Sequence, residues 1–142
     1  MSDNNPLNIE TPCIGICSTI YGDEACRGCM RHYQEVIDWN SYQPIQKQRI
    51  LHRLETEMLA VIPNYLEITD LAQLKKRLIQ HAIAYRPERN PLCWAHSLLR
   101  QGADKMHDLS KYGLKARAKF SHLTPTELFE KLDDALHVYA QK

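Results

Sequence analysis

The chain has 142 residues, 44% of them apolar and 25% charged, with a net charge of +1. That length fits one domain, or a mini-domain with a helical body, and the composition is that of a globular protein rather than a disordered or fibrous one. The small net charge weighs against general affinity for nucleic acid, although the charge is unevenly spread: residues 1–62 carry 5 Lys/Arg against 8 Asp/Glu, and residues 63–142 carry 13 against 9.

Residues 1–10, Met-Ser-Asp-Asn-Asn-Pro-Leu-Asn-Ile-Glu, have neither the basic nor the apolar region of a secretory signal and read as a flexible N-terminus. No apolar run approaches the ~20 residues of a membrane helix, so no membrane role is expected and a cytoplasmic protein is the default. Four of the five cysteines then follow within a short run: Cys13, Cys17, Cys26 and Cys29, spaced C-x3-C-x8-C-x2-C. Both pair spacings let two thiolates grip one metal ion or one iron–sulfur cluster, and four soft anionic ligands satisfy either. Gly15 and Gly28 sit inside the two pairs, where glycine permits close backbone approach to sulfur. The alternatives are a pair of disulfides or reduced thiols. A reducing cytoplasm favours metal ligation over structural disulfides.

The stretches Pro12-Cys13-Ile14-Gly15-Ile16-Cys17, Cys26-Arg27-Gly28-Cys29-Met30-Arg31 and Glu35-Val36-Ile37-Asp38-Trp39 together resemble a small bacterial family, the domain of unknown function numbered 1289, whose members are labelled predicted iron–sulfur proteins. The resemblance runs from about Thr11 to Leu54. It implies a four-cysteine metal site on Cys13, Cys17, Cys26 and Cys29, and it carries over no activity. The chain departs from the pattern at His32, where a small hydroxyl residue is usual, and at Gln43-Pro44, which replaces a Ser-Asp helix start.

The rest reads as mainly α: a four-cysteine loop on a short helical unit over residues 11–62, then a helical C-terminal region over 63–142. A short helix is expected over 30–39, its N-terminus offering N–H dipoles to the Cys29 thiolate. Pro44 starts a second helix, with Ile45, Ile50, Leu51, Leu54, Met58, Leu59 and Ile62 at helical spacing, ended by Pro63-Asn64. A third is expected from about Thr69 to Tyr85, with Leu71, Leu74, Leu78, Ile79, Ala82 and Ile83 on one face. Arg86 to Pro91 is a loop, and a fourth helix runs from Pro91 to about Leu109. A fifth starts at the capping box Thr124-Pro125-Thr126-Glu127 and reaches about Ala140, with Leu128, Phe129, Leu132, Leu136 and Tyr139 as its apolar stripe. No long alternating run appears, so β structure is expected only in turns at the cysteines.

Several residues outside the cysteine run invite a chemical reading. Cys93 and His96 are neighbours on a helix, which would suit a nucleophile pair or a second ligand pair; the plainer reading is a buried Cys and a surface His. No orienting Asp or Asn is assignable, so no catalytic residue is expected. His32, three residues after Cys29, is placed to bond a sulfur or replace a ligand, or simply to face solvent. Lys111, Lys115, Arg117 and Lys119 interleave with Tyr112 and Phe120, a pattern that serves RNA or phosphate binding but is equally common on solvated surfaces. Trp39 and Trp94 read as core anchors or as packing against the metal loop, rather than as stacking platforms.

Structural zinc would cross-link a loop too small to fold alone, and an iron–sulfur cluster would permit one-electron transfer or sensing. The spacing fits both. Three readings follow. One is a non-enzymatic metal-binding module that contacts a protein partner or regulates one. Another is an iron–sulfur electron-transfer or redox-sensing protein with a redox partner. The third is a nucleic-acid-binding protein.

Overall fold

The computed structural model describes residues 24–26 and 29–141. They form a mainly helical chain: α1 (Tyr33–Asp38), α2 (Pro44–Val61), β1 (Leu66–Ile68), α3 (Leu71–Gln80), α4 (Pro91–Gly102), β2 (Leu114–Ala116) and α5 (Pro125–Ala140), joined by short 3-10 turns. The chain divides into two compact units, one of Met1–Glu57 with His137–Lys142 and one of Met58–Leu136. The expected mainly α architecture is present.

In the second unit α4 lies against α3, β1 and the 3-10 turn Ile62–Asn64. Its core holds Ile62, Leu66, Leu74, Leu78, Trp94, Leu98, Leu99, Leu114, Leu128 and Leu132, all almost fully buried. Each helix supplies its stripe at three- and four-residue spacing, as an amphipathic helix must. The stripe of α3 is narrower than its sequence suggests: Leu74 and Leu78 are buried, whereas Leu71 and Ile79 are exposed. Ile45 of α2 is exposed in the same way.

The caps explain most boundaries. Asn90 accepts from the Leu92 N–H ahead of Pro91, and Trp94 Nε1 donates to the Arg86 carbonyl at 2.8 Å, which ties the preceding loop to α4. At α5 the capping box forms as expected, with Thr124 N–H on Glu127 Oε1 at 2.9 Å and Glu127 N–H on Thr124 Oγ1 at 3.2 Å.

Three expectations need correction. First, β1 and β2 pair antiparallel, Leu66 opposite Ala116 and Ile68 opposite Leu114, so β structure is not confined to the cysteine turns. Strands of three residues are too short to show an alternating pattern. Second, α3 ends at Gln80 rather than near Tyr85. Ala82 takes φ 55°, and the Ile83 N–H reaches back to the Leu78 carbonyl at 2.9 Å, a left-handed stop built without glycine. Third, α4 ends at Gly102 and tightens into a 3-10 turn over Ala103–Lys105, short of Leu109.

Gly113 ends the 3-10 turn Leu109–Tyr112 with φ 73°. Its carbonyl receives the N–H groups of Thr69 and Asp70, so the backbone of the α3 start lies directly on it. A Cβ there would sit 2.1 Å from the Asp70 carbonyl oxygen. The two left-handed positions therefore predict opposite outcomes in urea unfolding. Gly113→Ala should lose more than about 2 kcal/mol, because a backbone clash adds to the left-handed penalty. Ala82→Gly should gain about 0.5–1 kcal/mol, since relief of the left-handed strain exceeds the added freedom of the unfolded chain.

Candidate metal centre

The second cysteine pair sits at the closed end of a small hairpin. Ala25 and His32 form an antiparallel bridge, with Cys26 N–H on the Arg31 carbonyl at 2.8 Å and Tyr33 N–H on the Glu24 carbonyl at 2.8 Å. Met30 turns the chain back with φ 65°, and its N–H bonds the Cys26 carbonyl at 2.6 Å. This hairpin displaces the start of α1 from the expected residue 30 to Tyr33. The first N–H groups of α1 are taken elsewhere than by sulfur: that of His32 by Glu35 Oε1 at 2.9 Å, and that of Tyr33 by the Glu24 carbonyl. The expected helix dipole beside Cys29 is therefore absent, and α1 has only 6 residues.

Arg31 supplies the donors instead. Its Nε–H donates to Cys29 Sγ at 3.2 Å, and its guanidinium lies 5.0 Å from the centre of the Trp39 ring. Arg31 is only 3% exposed, and among the described residues no carboxylate pairs with it. Cys26 is 1% exposed and Cys29 half-buried. Burial pushes the Cys29 thiol up; hydrogen bonds from the side chain and backbone of Arg31 and its charge pull it back, and the neighbouring Cys26 adds a further upward push. The two sulfurs thus feel each other, and Arg31 meets that of Cys29. Cys13, Cys17, Gly15 and Gly28 lie outside the described residues. Among those described, no three His, Cys, Asp or Glu side chains gather around a common point.

Residues 11–58 match the family described as Protein of unknown function (DUF1289). The chain carries a DUF1289 domain. No curated protein and no solved structure matches the chain. The match reaches past the expected Leu54, to the last turns of α2.

The chemistry of the donor set fits a thiolate-bound metal in the described part of the DUF1289 domain. Two thiols stand in a turn fixed by backbone hydrogen bonds, beside a desolvated cation that offsets thiolate charge. Cys26 and Cys29 would be ligands, with Cys13 and Cys17 completing the set. The surrounding bonds hold this hairpin from two sides. His137 is buried and its Nε2 bonds the Ala25 carbonyl at 2.8 Å, next to Cys26. His32 Nε2 bonds the Ala140 carbonyl at 2.9 Å, one of the carbonyls a helix end leaves without an internal partner. His32 is half-exposed, and its Nε2 bonds a helix end rather than sulfur.

Below α1, Glu35 accepts a forked pair from Arg53, Nη1 to Oε2 at 2.5 Å and Nη2 to Oε1 at 2.7 Å. Arg53 Nε is 3.3 Å from Glu57 Oε1, within charge attraction but off the hydrogen-bond direction. Burial raises Glu35, yet the Arg53 bonds, the His32 N–H and their charge outweigh it and hold the carboxyl below its ordinary range. Burial pushes Glu57 up despite the attraction of Arg53.

The other candidate residues lie apart from this hairpin. His96 is buried, against the expectation of a surface His: its ring lies 5.4 Å from that of Phe129, and Nε2 is 3.5 Å from Asp133 Oδ1. Cys93, expected to be buried, is half-buried. The inward face of α4 runs through Trp94, Ala95, His96, Leu98 and Leu99, one residue beyond Cys93. Of the basic residues, Arg117 is held by the Pro63 carbonyl at 2.8 Å and by Glu67 at 3.1 Å. Lys111, Lys115 and Lys119 are exposed. Arg31 is the residue that sequence reasoning missed, although its place in C-R-G-C-x-R, two positions after Cys29, was the available signal.

The Glu35 fork predicts an acid-side loss of stability. A carboxyl held low in the folded state stabilises above its unfolded value, near 4.5, and that contribution disappears as the pH falls through the lowered folded value. Glu35→Gln should cost about 1.5–3 kcal/mol at pH 7, the range for hydrogen bonds to charged groups, with the gap to wild type closing as the pH falls through the lowered folded value. Thermal melts of both proteins across pH 3–8 would read this. A gap that stays constant with pH would exclude the ionic account.

Proposed function

We propose that the DUF1289 domain binds one metal centre, a zinc ion or an iron–sulfur cluster, through Cys13, Cys17, Cys26 and Cys29, and that the protein is a non-enzymatic module for protein interaction or regulation. The observation that supports this is Arg31. A guanidinium out of water is strongly disfavoured without compensating negative charge. The compensation on offer beside it is sulfur. Four thiolates on a divalent ion leave a net negative centre, and Arg31 meets that charge directly at Cys29.

In this reading the metal supplies a cross-link, and with it folding energy that so short a loop lacks. The chain's own residues do the rest. Arg31 orients Cys29 and balances charge, Trp39 covers the guanidinium, and His137 and His32 pin the hairpin. The reading assigns the protein to the cytoplasm, where thiols remain reduced and available as ligands. The same Arg31 bond favours a second reading, electron transfer or redox sensing, because hydrogen bonds to ligating sulfurs tune a cluster's potential.

Metal analysis and visible absorption of protein purified without oxygen test both. About one zinc per chain with no colour supports a structurally cross-linked module. Iron with matching sulfide and a brown band supports the redox reading. Cys26→Ser or Cys29→Ser should lower metal content and the melting temperature together. Arg31→Met should weaken metal binding by about 10–100-fold, the usual cost of losing a partner to a ligand. If serine at all four cysteines leaves metal content and thermal stability unchanged, the proposal is wrong.

A further inference from the structure

The second unit contains a cavity of about 180 Å³ that the metal reading does not use. Its floor is apolar: Ile83, Leu98 and Met106, each at most 8% exposed. Its rim is polar, formed by the exposed side chains of His81, Gln101 and Lys105. No carboxylate lines it. One wall is Tyr112, whose ring is steadied from two directions. His81 stacks on it with centroids 6.0 Å apart, and the Arg77 guanidinium lies 5.0 Å from its centre. Arg77 is in turn held by the Lys111 carbonyl at 3.0 Å.

Gly102 closes α4 and leads into the 3-10 turn Ala103–Lys105. Neither of the usual reasons for glycine applies. Its φ is −135°, which a side-chain-bearing residue can adopt, and a Cβ built on it meets nothing within 4 Å. Gly102 lines the cavity, and the backbone there has room for a larger residue, so a substitution at this position tests whether the space is used.

We propose that this cavity binds a small organic acid: one carboxylate on a body the size of a single ring. Size sets the body, because a cavity of about 150 Å³ holds benzene. The buried floor gives that body an apolar surface. Lys105 is the rim's cation, Gln101 offers an amide N–H, and the acid-free lining puts no charge against an anion. The site is independent of the four cysteines, since every residue in it belongs to the second unit.

Benzoate is the probe, with uncharged benzamide as its isostere, titrated into the full chain and followed by amide NMR. Benzoate should give saturable shifts at His81, Ile83, Leu98, Gly102, Met106 and Tyr112, in the millimolar range or tighter as expected for so few atoms. Benzamide should bind at least about tenfold more weakly, the loss of one charge-assisted contact. Lys105→Gln, a surface change, should reduce benzoate to the level of benzamide. Gly102→Leu should abolish both while the circular dichroism spectrum is kept. No saturable shift at these residues overturns the site. Equal binding of benzoate and benzamide, or benzoate binding untouched by Lys105→Gln, overturns the assignment of an acid. If Gly102→Leu fails to fold, the probe pair and the lysine variant still decide the matter.

Discussion

A guanidinium that has left water requires negative charge or an aromatic face, and in the DUF1289 domain both requirements converge on Arg31. It is 3% exposed, reaches the sulfur of Cys29 and rests on Trp39. Desolvating such a charge without recompense would cost several kcal/mol, a sizeable share of a small protein's whole stability. The hairpin around Cys26 and Cys29 is the place where the chain accepts a buried cation, with a sulfur and an aromatic face beside it.

The hairpin itself is too small to persist alone, since an isolated two-stranded pair is marginal at best in water. Its backbone is held from outside by the two histidines, His137 on the Ala25 carbonyl and His32 on that of Ala140. The forked Arg53–Glu35 contact fixes the N–H of His32 through the same carboxylate. These bonds carry into the hairpin the order of helices that have their own apolar stripes. The metal reading gains from this, because a ligand pair already oriented loses less freedom when a metal arrives.

The sequence made the long elements plain. Helices α2 and α5 were legible because Pro44 and the Thr124–Glu127 box mark their starts and apolar residues recur at helical spacing behind them. What escaped was set by tertiary contacts or by single dihedrals. Three-residue strands carry no readable alternation. The stop at Ala82 uses a residue with no left-handed preference, so composition gave no warning. His96 was misread because one helical residue's direction decides between core and solvent. At the candidate site, the cysteine spacing and family pattern marked the hairpin, but the contact of Arg31 with Trp39 from the far end of α1 is one that spacing alone does not encode.

The discontinuity of the first unit has a consequence for how the chain is made. Its two histidine contacts join residues 108 and 112 positions apart in sequence. Between them lies the whole of the second unit, an uninterrupted stretch from Met58 to Leu136. On a ribosome adding about 5–20 residues per second, the cysteines emerge several seconds before the residues that clasp their hairpin. The intervening unit, all of its sequence already synthesised, has everything it needs to collapse first. Under the proposed metal reading, an ion met during synthesis would encounter thiols on an unclasped loop, and the last turn of α5 would close over it afterwards.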